Sequence, residues 1–293
     1  MTEPGAPATD SLRRFVFEHE EIRGSIVRLC DTWQHLLRAD NYPPQVQSML
    51  GEALAATALL GRNLKFDGRL TLQIQGGAHL RLMVLQCDNE LRMRGLARFG
   101  DYVPASFTEL VEGGALCVTV ESGRKAERYQ SIVPLSEINL AESLGLYYRQ
   151  SVQLPTLFML AADTEQACGL MLQALPERKT GSGYWQRMVA GLQGLDVARM
   201  AHLPDDVLLS ALFPDDDIRL FDPEPVSFHC ECSDARIENM LKMLGAAELA
   251  DIIAQQDPVE ISCEFCNRLY RIPAQRILGF IAELGGDTAK SLH

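Results

Sequence analysis

Two close cysteine pairs near the C-terminal end of the sequence are the residues best placed to do chemistry. They are Cys230-Glu231-Cys232 and Cys263-Glu264-Phe265-Cys266. Four thiolates from two pairs, each close in the sequence, can surround one tetrahedral Zn²⁺. Unrelated cysteines rarely fall into two such pairs. Thiolates are also the groups that peroxide and disulfides attack. The spacing therefore predicts an all-cysteine zinc site that serves either as a structural clip or as a redox switch.

The ligand set limits what this metal can do. Four cysteines leave no open position for a substrate or a catalytic water, so metal-based hydrolysis is disfavoured. His229 adjoins Cys230 and is the alternative ligand in the sequence. Three nearby cations either compensate the negative charge of a four-thiolate site or are solvated at the surface. They are Arg236, Lys242 and Arg268.

The remaining cysteines predict no second metal site. Cys30, Cys87, Cys117 and Cys168 are scattered through apolar patterns, which is typical of buried and inert thiols. The phosphate-binding pattern G-x-x-x-x-G-K-[ST] is absent, and no serine, histidine and acid set stands out. We therefore expect a protein that is not an enzyme and does not use ATP.

Composition excludes several classes of partner. The 293 residues are 47% hydrophobic and 23% charged, as in an ordinary soluble globular protein. A net charge of −12 disfavours binding to nucleic acid or to an anionic membrane. The sequence has no signal peptide and no apolar run long enough to span a bilayer. Eight cysteines without an export signal indicate a reducing compartment, and the cytoplasm is the predicted location.

The elements ahead of the cysteine pairs predict an α+β core domain over residues 11–176, after a disordered tail over residues 1–10. Helical periodicity marks residues 44–60 and 137–150. Closely spaced apolar runs predict mainly antiparallel strands, at residues 14–17, 24–29, 64–75, 80–86, 91–99, 115–121, 128–135, 156–161 and 169–174.

A linker is predicted over residues 177–227, because the polar stretch ERKTGSG begins it. Its first helix, over residues 185–200, carries the apolar residues Trp185, Met188, Leu192 and Leu195 on one face. Gly191 and Gly194 each weaken this helix by roughly 1 kcal/mol relative to alanine, so the helix needs a docking partner. A second helix is predicted over residues 203–213. The segment is either a permanent helical connector or a conditionally folded one that can release its apolar face.

A small zinc-binding domain is predicted over residues 228–293. Ser233 can cap its first helix and Gly245 can end it. A second helix over residues 247–256 and a hairpin of strands 259–262 and 268–272 follow. Elements this small bury too little apolar surface for a robust core, so zinc should supply much of the folding free energy.

Several segments together resemble one known family over nearly the whole chain. The cysteine motifs stand in FHCECSDAR and CEFCNRLYRI, and the upstream segments LKFDGRLTLQIQGG, MRGLAR, ERYQSIVPL, YYRQSVQLPT and GLMLQALP follow in the family's order. The chain resembles the heat shock protein 33 family of redox-regulated chaperones. The linker helix differs from the family pattern in its length and glycine content.

The resemblance implies an ATP-independent holdase of the bacterial or organellar cytoplasm. Its reduced, inactive form would bind zinc through Cys230, Cys232, Cys263 and Cys266. Peroxide with mild unfolding stress would release zinc, form the disulfides Cys230–Cys232 and Cys263–Cys266, and unfold the linker. The protein would then bind unfolding clients and form a homodimer. Trp185, Met188, Leu192 and Leu195 are the candidate client-binding residues.

Two other classes of function remain as alternatives. One is an interaction module in which a permanently structural zinc knuckle docks a protein or a nucleic acid, although the acidity of the chain disfavours the nucleic acid. The other is a thiol oxidoreductase that uses Cys263 and Cys266, for which the thioredoxin-like β-α-β setting is missing. Ejection of zinc by mild peroxide distinguishes a redox switch from a structural knuckle.

Overall fold

The computed structural model describes residues 10–63, 68–122, 128–135, 138–176, 183–192 and 202–290. The chain divides into two compact units, Met1–His229 and Cys230–His293. None of the described helices combines the length and the apolar character needed to cross a bilayer.

The first unit contains most of the secondary structure. Its strands are β1 (Ser11–Phe17), β2 (Ile22–Leu29), β3 (Gly68–Gln75), β4 (Leu80–Asp88), β5 (Arg92–Phe99), β6 (Ala115–Ser122), β7 (Arg128–Val133), β8 (Thr156–Ala162), β9 (Ala167–Ala174), β10 (Ile218–Leu220), β11 (Glu224–Pro225) and β12 (Ser227–Phe228). Its helices are α1 (Asp31–Leu37), α2 (Pro44–Asn63), α3 (Phe107–Leu110), α4 (Leu140–Tyr147), α5 (Tyr184–Leu192) and α6 (Asp205–Leu212). A π-helical turn, Tyr148–Val152, continues α4.

Two sheets form the frame of this unit. The first has the order β10-β1-β2-β9-β8, with β11 also paired to β1, and the second has the order β12-β5-β4-β3-β6-β7. All pairs in these sheets are antiparallel except the parallel pair β5 and β12. Helix α2 contacts strands of both sheets and is buried along most of its length, including Leu50, Leu54 and Leu59. The predicted α+β class, with mainly antiparallel strands, is confirmed.

Asp10 belongs to the folded unit, whereas the sequence placed it in a disordered tail over residues 1–10. Its carboxylate accepts hydrogen bonds from the backbone N–H groups of Cys30, Asp31 and Thr32, the last at 2.6 Å. The side chain thereby satisfies the free donors at the start of α1 and interacts favourably with the helix dipole. Residues 1–9 lie outside the described residues.

Both described linker helices pack on the first sheet. Met188 and Leu192 of α5 and Leu208 and Leu209 of α6 are buried, as is Phe213 just after α6. They join a cluster with side chains of β1, β2, β8 and β9: Phe15, Phe17, Ile22, Ile26, Met159, Leu170 and Leu172. We call this set of side chains the linker cluster. The partner that the glycine-weakened helix requires is therefore this sheet.

The end of the predicted linker is not a helical connector. Residues 218–228 supply β10 and β11 to the first sheet and β12 to the second. The Phe221 N–H donates to the Arg14 carbonyl of β1, and the Glu18 N–H, just after β1, donates to the Asp217 carbonyl, just before β10. The prediction missed these strands because they are only two or three residues long and are interrupted by Pro223 and Pro225, so they carry no alternating pattern. The predicted helix over residues 185–200 is described only as α5, and residues 193–201 lie outside the described residues.

The second unit contains the helices α7 (Asp234–Leu244), α8 (Ala246–Gln255) and α9 (Ala274–Lys290) and the hairpin of β13 (Val259–Ser262) and β14 (Leu269–Ile272). The Ser233 side chain caps α7 by accepting from the Arg236 N–H at 3.3 Å. Gly245 ends this helix with a φ of 88°. Its buried core is small and consists of Ile237, Leu241, Leu249, Val259, Tyr270, Ile272, Ile277 and Phe280.

Candidate metal centre

The two cysteine pairs stand at the ends of regular elements of the second unit. Cys230 and Cys232 precede the capped start of α7, and Cys263 and Cys266 lie in the turn between β13 and β14. This turn is closed by hydrogen bonds from the Cys263 N–H to the Arg268 carbonyl (3.0 Å) and from the Asn267 N–H to the Cys263 carbonyl (2.8 Å). Asn267 adopts the left-handed conformation, with a φ of 56°, that such a tight turn needs.

The four sulfur atoms come together in one group. All lie within 4.8 Å of one another, and all four residues are half-buried. The Sγ atoms of Cys230 and Cys263 are 3.6 Å apart, and those of Cys232 and Cys266 are 3.4 Å apart. Four sulfurs at ~2.3 Å from a tetrahedral Zn²⁺ would be roughly 3.8 Å from one another. The donor set and its spacing therefore fit a four-thiolate metal site, and His229 is not a member of the group.

Local contacts give the thiols of this site different electrostatic environments. Burial raises the pKa of Cys230, and the backbone N–H of Cys232 opposes that shift. Burial also raises the pKa of Cys266, against the backbone N–H of Arg268. Burial works to raise the pKa of Cys232 as well, but interactions with the Tyr270 hydroxyl and with the neighbouring thiols outweigh it and lower the pKa of this thiol. Backbone N–H groups and Tyr270 thus supply part of the stabilisation that thiolates need.

The cations proposed to offset the charge of the site have other contacts. Arg236 pairs with Glu231 at 2.8 Å, and Lys242 pairs with Glu283 at 2.6 Å. The Arg268 guanidinium lies over the ring of Tyr270, 5.1 Å from its centroid. The ion pairs reduce the positive charge that Arg236 and Lys242 can offer to the thiolates. Of the three cations, Arg268 therefore best fits the predicted role of offsetting the negative charge of the site.

The other four cysteines remain separate from the metal site. Cys87, Cys117 and Cys168 are buried and Cys30 is half-buried, and none of them belongs to the four-sulfur group. Burial raises the pKa of Cys87 to about 12 and that of Cys168 to about 11, and it also raises the pKa of Cys30. A thiol that stays protonated is a poor nucleophile, so the raised pKa values of Cys30, Cys87 and Cys168 agree with the prediction that these three thiols are inert.

The candidate client-binding residues are brought together only in part. Met188 and Leu192 are buried in the linker cluster, and Trp185 is half-buried and packs against it. Leu195 lies outside the described residues. The sequence did not reveal that Leu208, Leu209 and Phe213 share the same cluster, because more than ten residues separate them from α5.

An ion pair fixes the start of α6 to the first sheet. The Arg28 Nε of β2 donates to the Asp205 carboxylate at 2.8 Å, and both side chains are only 13% exposed. The same guanidinium donates to the Leu203 carbonyl, and Arg13 of β1 lies 4.0 Å from Asp205. We call these contacts the Asp205 latch. No local sequence signal marks the latch, because its partners are far apart in the chain.

These features define an α+β protein with four clustered cysteines, able to hold a metal ion, in a small C-terminal unit. Comparison with known proteins identifies the family within this class. The family model described as Hsp33 protein matches residues 10–273. The 33 kDa chaperonin of Nitrosococcus oceani is 44% identical over 262 residues, which cover 89% of this chain and 90% of that protein. The 33 kDa chaperonin of Pseudomonas savastanoi pv. phaseolicola is 35% identical over 291 residues, covering 96% and 97%.

A solved structure agrees at the level of the fold. The crystal structure of the 33 kDa chaperonin of Thermotoga maritima superposes with a TM-score of 0.80 at 22% sequence identity, covering 93% of this chain and 98% of that one. The chain belongs to the Hsp33 family. The names of its relatives support a chaperone role for it.

Proposed function

We propose that this chain is a redox-controlled holdase chaperone. In the reduced state Cys230, Cys232, Cys263 and Cys266 hold one zinc ion and the protein is inactive. Under oxidative stress the two thiols of each pair react with one molecule of hydrogen peroxide to form one disulfide and two molecules of water. The disulfides are Cys230–Cys232 and Cys263–Cys266. Zinc is released, the linker unfolds, and the protein binds unfolding clients as a homodimer. It needs no ATP, nucleic acid or membrane, and it works in the cytoplasm.

The observation that carries this proposal is the group of four half-buried sulfurs within 4.8 Å of one another. The site is closed to substrate because all four metal positions are taken by protein, yet its thiolates remain near enough to the surface for a small oxidant. Such a site supports sensing better than catalysis.

The linker cluster supports an inactive reduced state. Met188 and Leu192 face the sheet and are less than a tenth exposed, so they offer no apolar surface to a client while α5 is docked. Undocking would expose the apolar side of α5 and α6 and the sheet side chains beneath them together. Contiguous apolar surface of this kind binds the apolar segments of unfolding proteins.

Zinc content and aggregation of a heat-unfolded client, measured together across a peroxide series, test the proposal. We expect about one zinc per chain and little suppression in reduced protein. Oxidised protein should be zinc-free and should suppress aggregation without ATP, because the linker then no longer covers its apolar face. Retention of zinc at high peroxide, with equal suppression by both forms, would favour the alternative of a permanently structural zinc knuckle.

Gly191 offers a test of linker release. It is the second-last residue of α5, and no atom of the described residues lies within 4 Å of the position that its Cβ would take. Gly191→Ala should therefore stabilise the docked helix by roughly 0.5–1 kcal/mol. We expect slower amide hydrogen exchange in α5, and activation at a higher temperature for a given peroxide dose.

Gly279→Ala is the matched control, because Gly279 lies inside α9 and also has open space around its Cβ position. It should leave the hydrogen exchange of α5 unchanged. If Gly191→Ala slows exchange in α5 but activates like the parent protein, then release of this helix does not limit activation.

A further inference from the structure

A cavity of about 370 Å³ lies beside the first half of α2 in the first unit. Side chains of α2 and α3 line it, together with Asn139, the N-cap residue of α4. Small-molecule sites in proteins have volumes of roughly 300–1,000 Å³ and combine apolar walls with a few polar groups. None of the described lining residues belongs to the linker cluster or to the four-sulfur group, so neither feature accounts for the cavity.

The wall of this cavity carries one carboxyl group. Glu52 of α2 is the sole ionisable side chain among the described lining residues. Its Oε1 accepts a hydrogen bond from the hydroxyl of Ser48, one helical turn earlier, at 3.2 Å. Burial raises the pKa of Glu52 to about 7, and the Ser48 hydroxyl opposes that shift. No charged side chain of the described residues contributes to it.

A carboxyl group at this position lowers the stability of the protein at neutral pH. Its pKa is higher in the folded chain than in the unfolded one, so ionisation favours the unfolded chain as the pH rises. Glutamine has the same shape and could keep the bond to Ser48 without that penalty. An acid that is retained against such a penalty, in the wall of a cavity, is characteristic of a ligand site.

The other lining groups define the ligand. Met49 and Leu110 are buried and, with Phe107, form an apolar wall that suits a short alkyl chain. A positive charge beside Glu52 would stabilise the ionised carboxylate, whereas an anion would be repelled by it.

We propose that the cavity binds a small primary ammonium ion with a short alkyl chain. Its N–H groups donate to the Glu52 carboxylate, and its chain packs against Met49, Phe107 and Leu110. The site goes beyond the proposed function and does not depend on it.

Titration of the reduced, zinc-loaded full chain with n-butylammonium at pH 8 tests the inference, with ¹³C-labelled methionine methyl groups observed by NMR. The Met49 methyl resonance should shift to saturation, with a Kd of roughly millimolar for so small a ligand. The uncharged analogue 1-butanol should bind at least about 10-fold more weakly. Glu52→Gln, which removes the charge and keeps the shape, should weaken butylammonium binding about 10- to 150-fold.

The affinity should also depend on pH. The cation binds the ionised carboxylate, so from pH 8 to pH 6 the affinity should fall about 10-fold as a carboxyl group with a pKa of about 7 takes up its proton. The ligand stays protonated throughout. Glu52→Gln should remove this pH dependence. Glu109→Gln, at an exposed carboxyl group of α3 outside the cavity lining, is the control and should change neither the affinity nor its pH dependence.

Equal binding of butylammonium by the parent and by Glu52→Gln would overturn the inference, as would equal binding of butylammonium and 1-butanol by the parent. If circular dichroism shows that Glu52→Gln does not fold, Ala105→Trp takes its place. Ala105 is an exposed residue of the lining, and the larger side chain should obstruct the cavity. Unaltered butylammonium binding in that variant would contradict the site. Zinc content and the peroxide response of the parent are separate measurements, so failure of this inference leaves the proposed function standing.

Discussion

Cys263→Ser should leave the protein with far less than one zinc per chain and with an unfolded C-terminal unit. A serine hydroxyl is a poor zinc ligand, and the remaining three sulfurs cannot close a tetrahedral site. Structural zinc contributes on the order of 10 kcal/mol to small metal domains, more than a core as small as that of the second unit supplies alone. Limited proteolysis should therefore cut residues 230–290 much faster than in the parent, and metal analysis should show the zinc loss directly.

Cys30→Ser is the matched control for this substitution. Cys30 is also half-buried and reduced, but it lies in the first unit and outside the four-sulfur group. The control should keep about one zinc per chain and the proteolysis pattern of the parent. Full zinc occupancy in Cys263→Ser would show that the four cysteines are not the ligand set.

Asp205→Ala should loosen the linker in reduced, zinc-loaded protein. The substitution removes the carboxylate of the Asp205 latch and with it the ion pair to the Arg28 guanidinium, which is only 13% exposed. A hydrogen-bonded charge of this kind is worth about 1.5–3 kcal/mol, which corresponds to a roughly 10- to 150-fold shift in the docking equilibrium of α6. We expect faster amide exchange in α6, and suppression of client aggregation at a lower temperature and a lower peroxide dose.

Asp206→Ala separates the latch from the effect of an acidic residue in the first turn of a helix. Asp206 follows Asp205 in that turn, but it is exposed and takes no part in the latch. Its loss should cost only the few tenths of a kcal/mol that a surface charge contributes near a helix N-terminus. If Asp205→Ala and Asp206→Ala behave alike, the ion pair with Arg28 does not control docking.

The local patterns of the second unit were readable in the sequence. The two cysteine clips, the Ser233 cap, the Gly245 stop and the hairpin all depend on residues that are close in the chain, and the structure has them where the pattern puts them. Helix α9 was missed, because Gly279, Gly285 and Gly286 weaken its pattern.

The long-range features of the first unit could not be derived in the same way. The antiparallel pairing of β3 with β4, of β4 with β5 and of β6 with β7 follows from closely spaced strands, and it was predicted. The sheet order β5-β4-β3-β6-β7, in which β6 lies beside β3, was not predicted. The capping of α1 by Asp10, the latch between Arg28 and Asp205, and the strands of residues 218–228 join parts of the chain that local patterns do not connect. Such contacts are decided by the packing of the whole unit, which a periodicity of two or 3.6 residues does not encode.

The linker cluster has a consequence for how clients would leave the protein. In the proposed function the linker and an unfolding client would bind the same apolar sheet, so the linker would act as a tethered competitor. A tethered segment competes at an effective concentration of about millimolar, and only clients that bind more tightly than this can displace it. Restoring the metal site would favour the docked linker again and would drive bound clients off by competition. The free energy for release would then come from reduction of the disulfides and binding of zinc, and a nucleotide would not be needed.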